Sequence, residues 1–111
     1  MINLLKFRKQ TPDGSMSGME SYMKYSEIVF KMVKERGGRI VWSGQVVPEV
    51  GLVIGDDEWD FVIIVQYPSK EAFLDMVIDN PEYEAAHHFR DAGLEATALI
   101  PTYPKILGAK L

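Results

Sequence analysis

The chain contains no cysteine. That absence excludes disulfides, a thiolate nucleophile, and zinc or iron–sulfur sites built on cysteine ligands. It suits a reducing compartment, and a cytoplasmic location is the expectation. Long apolar runs are missing too. The longest, residues 61–65, falls far short of the roughly 20 residues that a bilayer-spanning helix needs. The opening MINLLKFRKQ lacks the charged start and apolar middle of a secretory leader. No membrane partner is therefore expected. Basic clusters are scarce: Lys6, Arg8 and Lys9 form the densest one, and the net charge is −4. Nucleic-acid binders carry a basic stripe, so no nucleic-acid partner is expected either. There is no Gly-rich phosphate loop, no Gly-x-Ser-x-Gly elbow and no His-Glu-x-x-His. Internal repeats and low-complexity segments are also absent.

What is present is ordinary for a globular protein: 111 residues, 47% hydrophobic and 25% charged. That length forms one domain, residues 1–111, with a real core.

Residues 2–8 read as a strand with apolar side chains on both faces. Thr11-Pro12-Asp13-Gly14 is a turn. Ser17-Gly18-Met19-Glu20 fits a capping box, and a helix to about Arg36 should follow, closed by Gly37. Its apolar face includes Tyr22, Val29 and Val33 at three- and four-residue spacing. Residues 39–47 are a second strand, with Ile40, Trp42, Gly44 and Val46 expected on one face. Residues 49–57 predict a protruding arm or a short extra strand pair. Residues 59–67 form a third strand whose consecutive β-branched run means burial on both faces. Ser69 caps a helix over 70–78, and Asn80-Pro81 restarts a second one to about Ala92. Residues 94–102 are a last strand, at an edge because of Pro101 and Pro104. Residues 103–111 are a tail that docks or frays.

The order is strand, helix, strand, strand, split helix, strand. That is the ferredoxin-like βαββαβ order: an α+β fold with an antiparallel sheet and the helices on one face. Right-handed crossovers put strands one and three in the centre. The helices leave the other sheet face bare. A second copy is the expected cover, giving a homodimer of two face-to-face sheets, a dimeric α/β barrel.

Several residues also resemble a known family. Gly37-Gly38-Arg39 leads into strand two, Tyr67-Pro68-Ser69 follows strand three, and Pro81-x-Tyr83 is followed seven residues later by Arg90. In this order and spacing they resemble the domain of unknown function 1330 family. The resemblance covers residues 37–100 well and the N-terminal third loosely. It implies a dimeric α/β barrel and no agreed activity. Fold does not choose among the chemistries that such barrels host.

The candidate site lies between sheet and helices. Asn3 is a polar residue in an apolar central strand, and a buried amide needs a partner. Tyr22, Trp42 and Tyr67 are candidate walls for a ligand, with Tyr25 beside them. On the wheel of the last helix, Ala85, Ala86, Phe89 and Ala92 should meet the core. His88 and Arg90 then flank that face while His87 points away. His88 is the candidate acid or base, and Arg90 the candidate clamp for a carboxylate or enolate. The bland readings are a locally bonded histidine and an ion pair of Arg90 with Glu82, Asp91 or Glu95. Adjacent His87 and His88 diverge by about 100°, a poor metal motif. The expectation is a binder or enzyme for a small anionic organic molecule, with no cofactor and no metal. The alternatives are a non-catalytic dimeric module and a haem- or metal-binding barrel. No motif names a substrate.

Overall fold

The computed structural model describes residues 1–105. The elements are β1 (Ile2–Phe7), α1 (Gly18–Glu35), β2 (Arg39–Gln45), β3 (Phe61–Gln66), α2 (Lys70–Val77), α3 (Pro81–Gly93) and β4 (Leu94–Ile100). The strands form one antiparallel sheet in the order β2-β3-β1-β4. The two strands with apolar residues on both faces, β1 and β3, are therefore central. Over the described residues the fold is α+β, with three helices against a four-stranded antiparallel sheet. Among the described residues no helix is long and apolar enough to cross a membrane.

Local chemistry sets the helix limits. The Ser17 hydroxyl accepts from the Glu20 amide at 3.1 Å, and the Glu20 carboxylate accepts from the Ser17 amide at 3.4 Å. This is the reciprocal box that supplies partners to amides otherwise left orphaned at a helix start. At the other end Gly37 takes φ +79°. The Gly38 amide donates to the Val33 carbonyl and the Gly37 amide to the Lys34 carbonyl. That paired closure needs the left-handed backbone that glycine adopts freely. Ser69 caps α2 through the Ala72 amide, and Asn80 caps α3 through the Glu82 and Tyr83 amides.

The core lies between the sheet and the helices. Leu5, Ile63 and Val65 on the sheet meet Val29, Met32 and Val33 of α1, Met76 of α2 and Ala86 of α3. Leu5 is fully buried, and cutting such a side chain to alanine costs about 2–5 kcal/mol.

Two expectations need correction, and of the two readings of residues 49–57 the arm is the one found. β2 does not keep one alternation: its pairing with β3 shifts between Ile40 and Trp42, so Ile40 faces Val65 while Trp42 faces Ile64. Ile40 and Trp42 therefore lie on opposite faces of the sheet. Residues 46–60 contain no strand pair; they form an irregular arm with Val53 and Ile54 almost wholly exposed. The last helix is rolled relative to its wheel. Ala86 and Gly93 are buried against α1, while Ala85 is exposed. The roll follows from the closeness of the two helices at Gly18 and Gly93, where backbone meets backbone. Of the tail, residues 106–111 lie outside the described residues.

Candidate functional site

Asn3, Leu5 and Phe7 of β1 point toward the helices, as do Ile63 and Val65 of β3. The helices do not fill the space above Asn3. A cavity of about 150 Å³ remains there, floored by Asn3, Ile63, Val65 and Leu99. Tyr22, Tyr25 and Val29 of α1 form one wall, and Tyr83, His87 and Arg90 of α3 another. Tyr67, Phe73 and Met76 close the far end.

The roll of α3 explains the second wall. Ala86 and Gly93 face α1, and the Ser21 hydroxyl donates to the Phe89 carbonyl at 2.7 Å. With the small residues turned to α1, positions 83, 87 and 90 fall one above another on the neighbouring stripe. They overlook Asn3.

Tyrosines dominate the lining. The Tyr25 and Tyr83 hydroxyls are 3.2 Å apart. The rings of Phe7, Tyr22, Tyr25 and Tyr83 follow one another at centroid distances of 5.4–6.2 Å. Burial pushes the Tyr22 and Tyr67 phenols up to about 12. Burial also raises Tyr25 strongly, with the nearby Tyr83 adding to the effect. These three phenols therefore stay protonated at neutral pH and can donate hydrogen bonds.

Arg90 is the cation of the site. Its Nη2 donates to the Thr97 hydroxyl at 3.1 Å, and that hydroxyl donates to the Leu4 carbonyl at 3.0 Å. The guanidinium is thus braced against β4 and β1 by neutral groups. Among the described residues no carboxylate forms an ion pair with it. Glu95 is instead engaged by Lys6 at 2.8 Å, and Asp91 by His87 at 3.3 Å. Two of the three expected local acids are therefore occupied elsewhere, Glu82 forms no ion pair among the described residues, and the described cavity lining contains no acidic side chain. The positive charge of Arg90 reaches Tyr22 and Tyr25, where it partly opposes the effect of burial. Asn3 donates through Nδ2 to the Ile63 carbonyl at 3.2 Å.

Of the expected residues, the fold brings Asn3, Tyr22, Tyr67 and Arg90 together. It leaves two out. Trp42 lies on the opposite sheet face and is half exposed, because the shift in β2 pairs it with Ile64. Its indole covers Gly44, where a Cβ would stand 2.3 Å from the ring. His88 is exposed; its Nδ1 is bonded to the Ala85 carbonyl of its own helix, and its ring lies 4.0 Å from that of Phe89. His87 takes the cavity position instead. The signal for this was Gly93, a residue small enough for helix contact that reads equally well as a helix stop.

A larger concavity of about 1070 Å³ lies beneath the arm, between residues 45–61 and the Arg8–Lys9 segment. It is an open trough. The acidic Asp56 and Glu58 border it on the arm side.

The family model for the domain of unknown function DUF1330 matches residues 14–102. No curated protein matches the chain. Two crystal structures of one bacterial protein are similar to it. The methylated RPA0582 protein superposes with a TM-score of 0.84 at 34% identity, over 97% of this chain and 81% of that one. The RPA0582 protein of unknown function from Rhodopseudomonas palustris gives 0.79 at 34% identity, over 93% of this chain and 81% of that one.

Proposed function

The chain belongs to the domain of unknown function DUF1330 family, whose name carries no activity, and from the cavity we propose that it binds a small organic anion between sheet and helices. One observation carries this reading: a guanidinium without a carboxylate partner among the described residues borders a cavity lined by phenols and an amide. A bound carboxylate would supply the missing countercharge, and bidentate pairing with Arg90 would orient it. The family positions divide in a way that supports this. Gly37, Gly38 and Ser69 have backbone duties at helix ends. The side chains of Tyr83 and Arg90 instead line the cavity.

The test is a panel of short-chain carboxylates set against their isosteric neutral amides, with binding followed by calorimetry. The acids should bind and the amides should not. Equal binding of both, or an Arg90→Ala variant that binds like the parent, would sink the reading.

The sheet face away from the helices supports a second part of the proposal. Ile2 stands opposite Ile64 and Ile100, Leu4 opposite Val62 and Ala98, and Trp42 opposite Ile64. These cross-strand neighbours form a continuous apolar surface, and Trp42 is 53% exposed. A monomer rarely leaves so much connected apolar area in water. A second copy packed sheet to sheet would cover it, turning the ferredoxin-like unit into a dimeric α/β barrel. The non-catalytic alternative draws on His88 and Arg90 both having local bonds. It leaves the vacant space beside Arg90 unexplained.

A further inference from the structure

We infer that this cavity moves protons at carbon: His87, with the Asp91 carboxylate beside it, is the base for a small 2-oxo acid whose carboxylate Arg90 holds. The inference rests on the anion-binding reading above and adds a reaction to it.

His87 lines the cavity, and its Nδ1 lies 3.3 Å from a carboxylate oxygen of Asp91, one helical turn further on. A carboxylate this close to Nδ1 favours the tautomer with its proton on Nδ1, which leaves Nε2 as a lone-pair acceptor. His87 and Arg90 are three residues apart on α3, so they are surface neighbours about 5–6 Å apart at Cβ. A carboxylate on Arg90 thus leaves the carbon two bonds beyond it within reach of His87. Tyr22, Tyr25 and Tyr83 stand over the same space as hydroxyl donors. Size limits the substrate. A cavity near 150 Å³ is in the range that accepts a benzene-sized guest, which means about six or seven heavy atoms.

For 2-oxobutanoate the step balances without any further reactant. The C3–H bond breaks and the proton passes to Nε2 of His87. The bonding pair becomes the C2=C3 double bond, and the carbonyl π pair moves onto the C2 oxygen as an enolate. A tyrosine hydroxyl donates a hydrogen bond to that oxygen, where charge develops. The His87 side chain is 41% exposed, so the imidazolium exchanges its proton with solvent. Return of a proton to C3 restores the 2-oxo acid.

The experiment incubates the full chain with 2-oxobutanoate in D₂O and follows loss of the C3 methylene signal by proton NMR. Dissociation constants are measured in parallel by calorimetry. The parent should exchange the C3 protons about 100-fold or more above the buffer rate. His87→Gln should fall to the buffer rate while still binding 2-oxobutanoate. Asp91→Asn should lose about tenfold or more in rate with unchanged affinity, and Asp91→Glu should recover part of it. His88→Gln should match the parent. Binding without exchange, or a His87→Gln variant as fast as the parent, overturns the proton-transfer inference and leaves the binding reading standing. No binding of 2-oxobutanoate or of any acid in the panel overturns both.

Discussion

Gly18 and Gly93 touch through their backbones: a Cβ on either residue would stand 2.5 Å from the other's carbonyl oxygen. The Arg8 amide donates to the Gly93 carbonyl at 2.8 Å, and the Gly18 amide to the Arg8 carbonyl at 3.1 Å, so the start of α1, the end of α3 and the end of β1 are clasped together. Gly93→Ala must push the helices apart against rigid backbone. The expected loss is about 1–3 kcal/mol, seen as a lower urea midpoint. The same crossing sets the roll of α3, so Gly93→Ala should also weaken carboxylate binding at Arg90 without touching the cavity. An unchanged midpoint would show that the approach is looser than this geometry requires.

Much of the fold is legible in the residues because its signals are local. Ser17 with Glu20, Gly37, Ser69 and Asn80 each act on backbone within a few positions, and each does in the structure what its type and spacing imply. The apolar runs of β1 and β3 likewise mark the sheet centre. The failures are non-local. Nothing within β2 reveals that its pairing with β3 slips at Val41 and sends Trp42 to the bare face. Nothing within α3 reveals that α1 comes close enough to need Gly93 and Ala86. A helical wheel ranks faces by hydropathy, whereas this helix is oriented by where small residues permit close contact. That difference exchanged His87 for His88 at the cavity.

Arg90 should separate binding from stability. Its bond to Thr97 is exposed, so Arg90→Ala should cost at most about 1 kcal/mol in unfolding free energy. A charged hydrogen-bonded pair with a ligand carboxylate is worth about 1.5–3 kcal/mol, so affinity should drop roughly 10- to 100-fold. Arg90→Lys keeps the charge but loses the planar fork and should recover only part of it. Calorimetry beside a denaturant curve checks both halves. A large stability loss with unchanged affinity would make Arg90 a structural residue.

The bare sheet face should determine the association state. Ile64 sits at its centre, between Ile2 and Trp42. Ile64→Asp places a charge in the proposed contact, and sedimentation should show a monomer where the parent is a dimer. The core side of the sheet, formed by Ile63 and Val65, is left intact, so secondary structure should persist. A parent chain that sediments as a monomer at micromolar concentration would refute the second copy as the cover.

The tyrosines make stability fall on the alkaline side. Tyr22 and Tyr67 are raised to about 12, and Tyr25 is raised as well, each mainly by burial. The unfolded chain ionises its phenols near pH 10. Between that pH and the folded values the native state binds more protons than the unfolded state, so unfolding free energy decreases as pH rises. The contribution of these groups is complete below about pH 10 and is lost as pH climbs toward about 12. Phenolate absorbance should therefore lag behind that of the denatured chain until the protein unfolds, and then rise together for the buried tyrosines. Tyr25→Phe removes one of these groups and the 3.2 Å contact with Tyr83, so it should make the alkaline decline shallower. A folded protein whose tyrosines all titrate near pH 10 would mean that water reaches the cavity wall freely, and the case for an enclosed anion site would go with it.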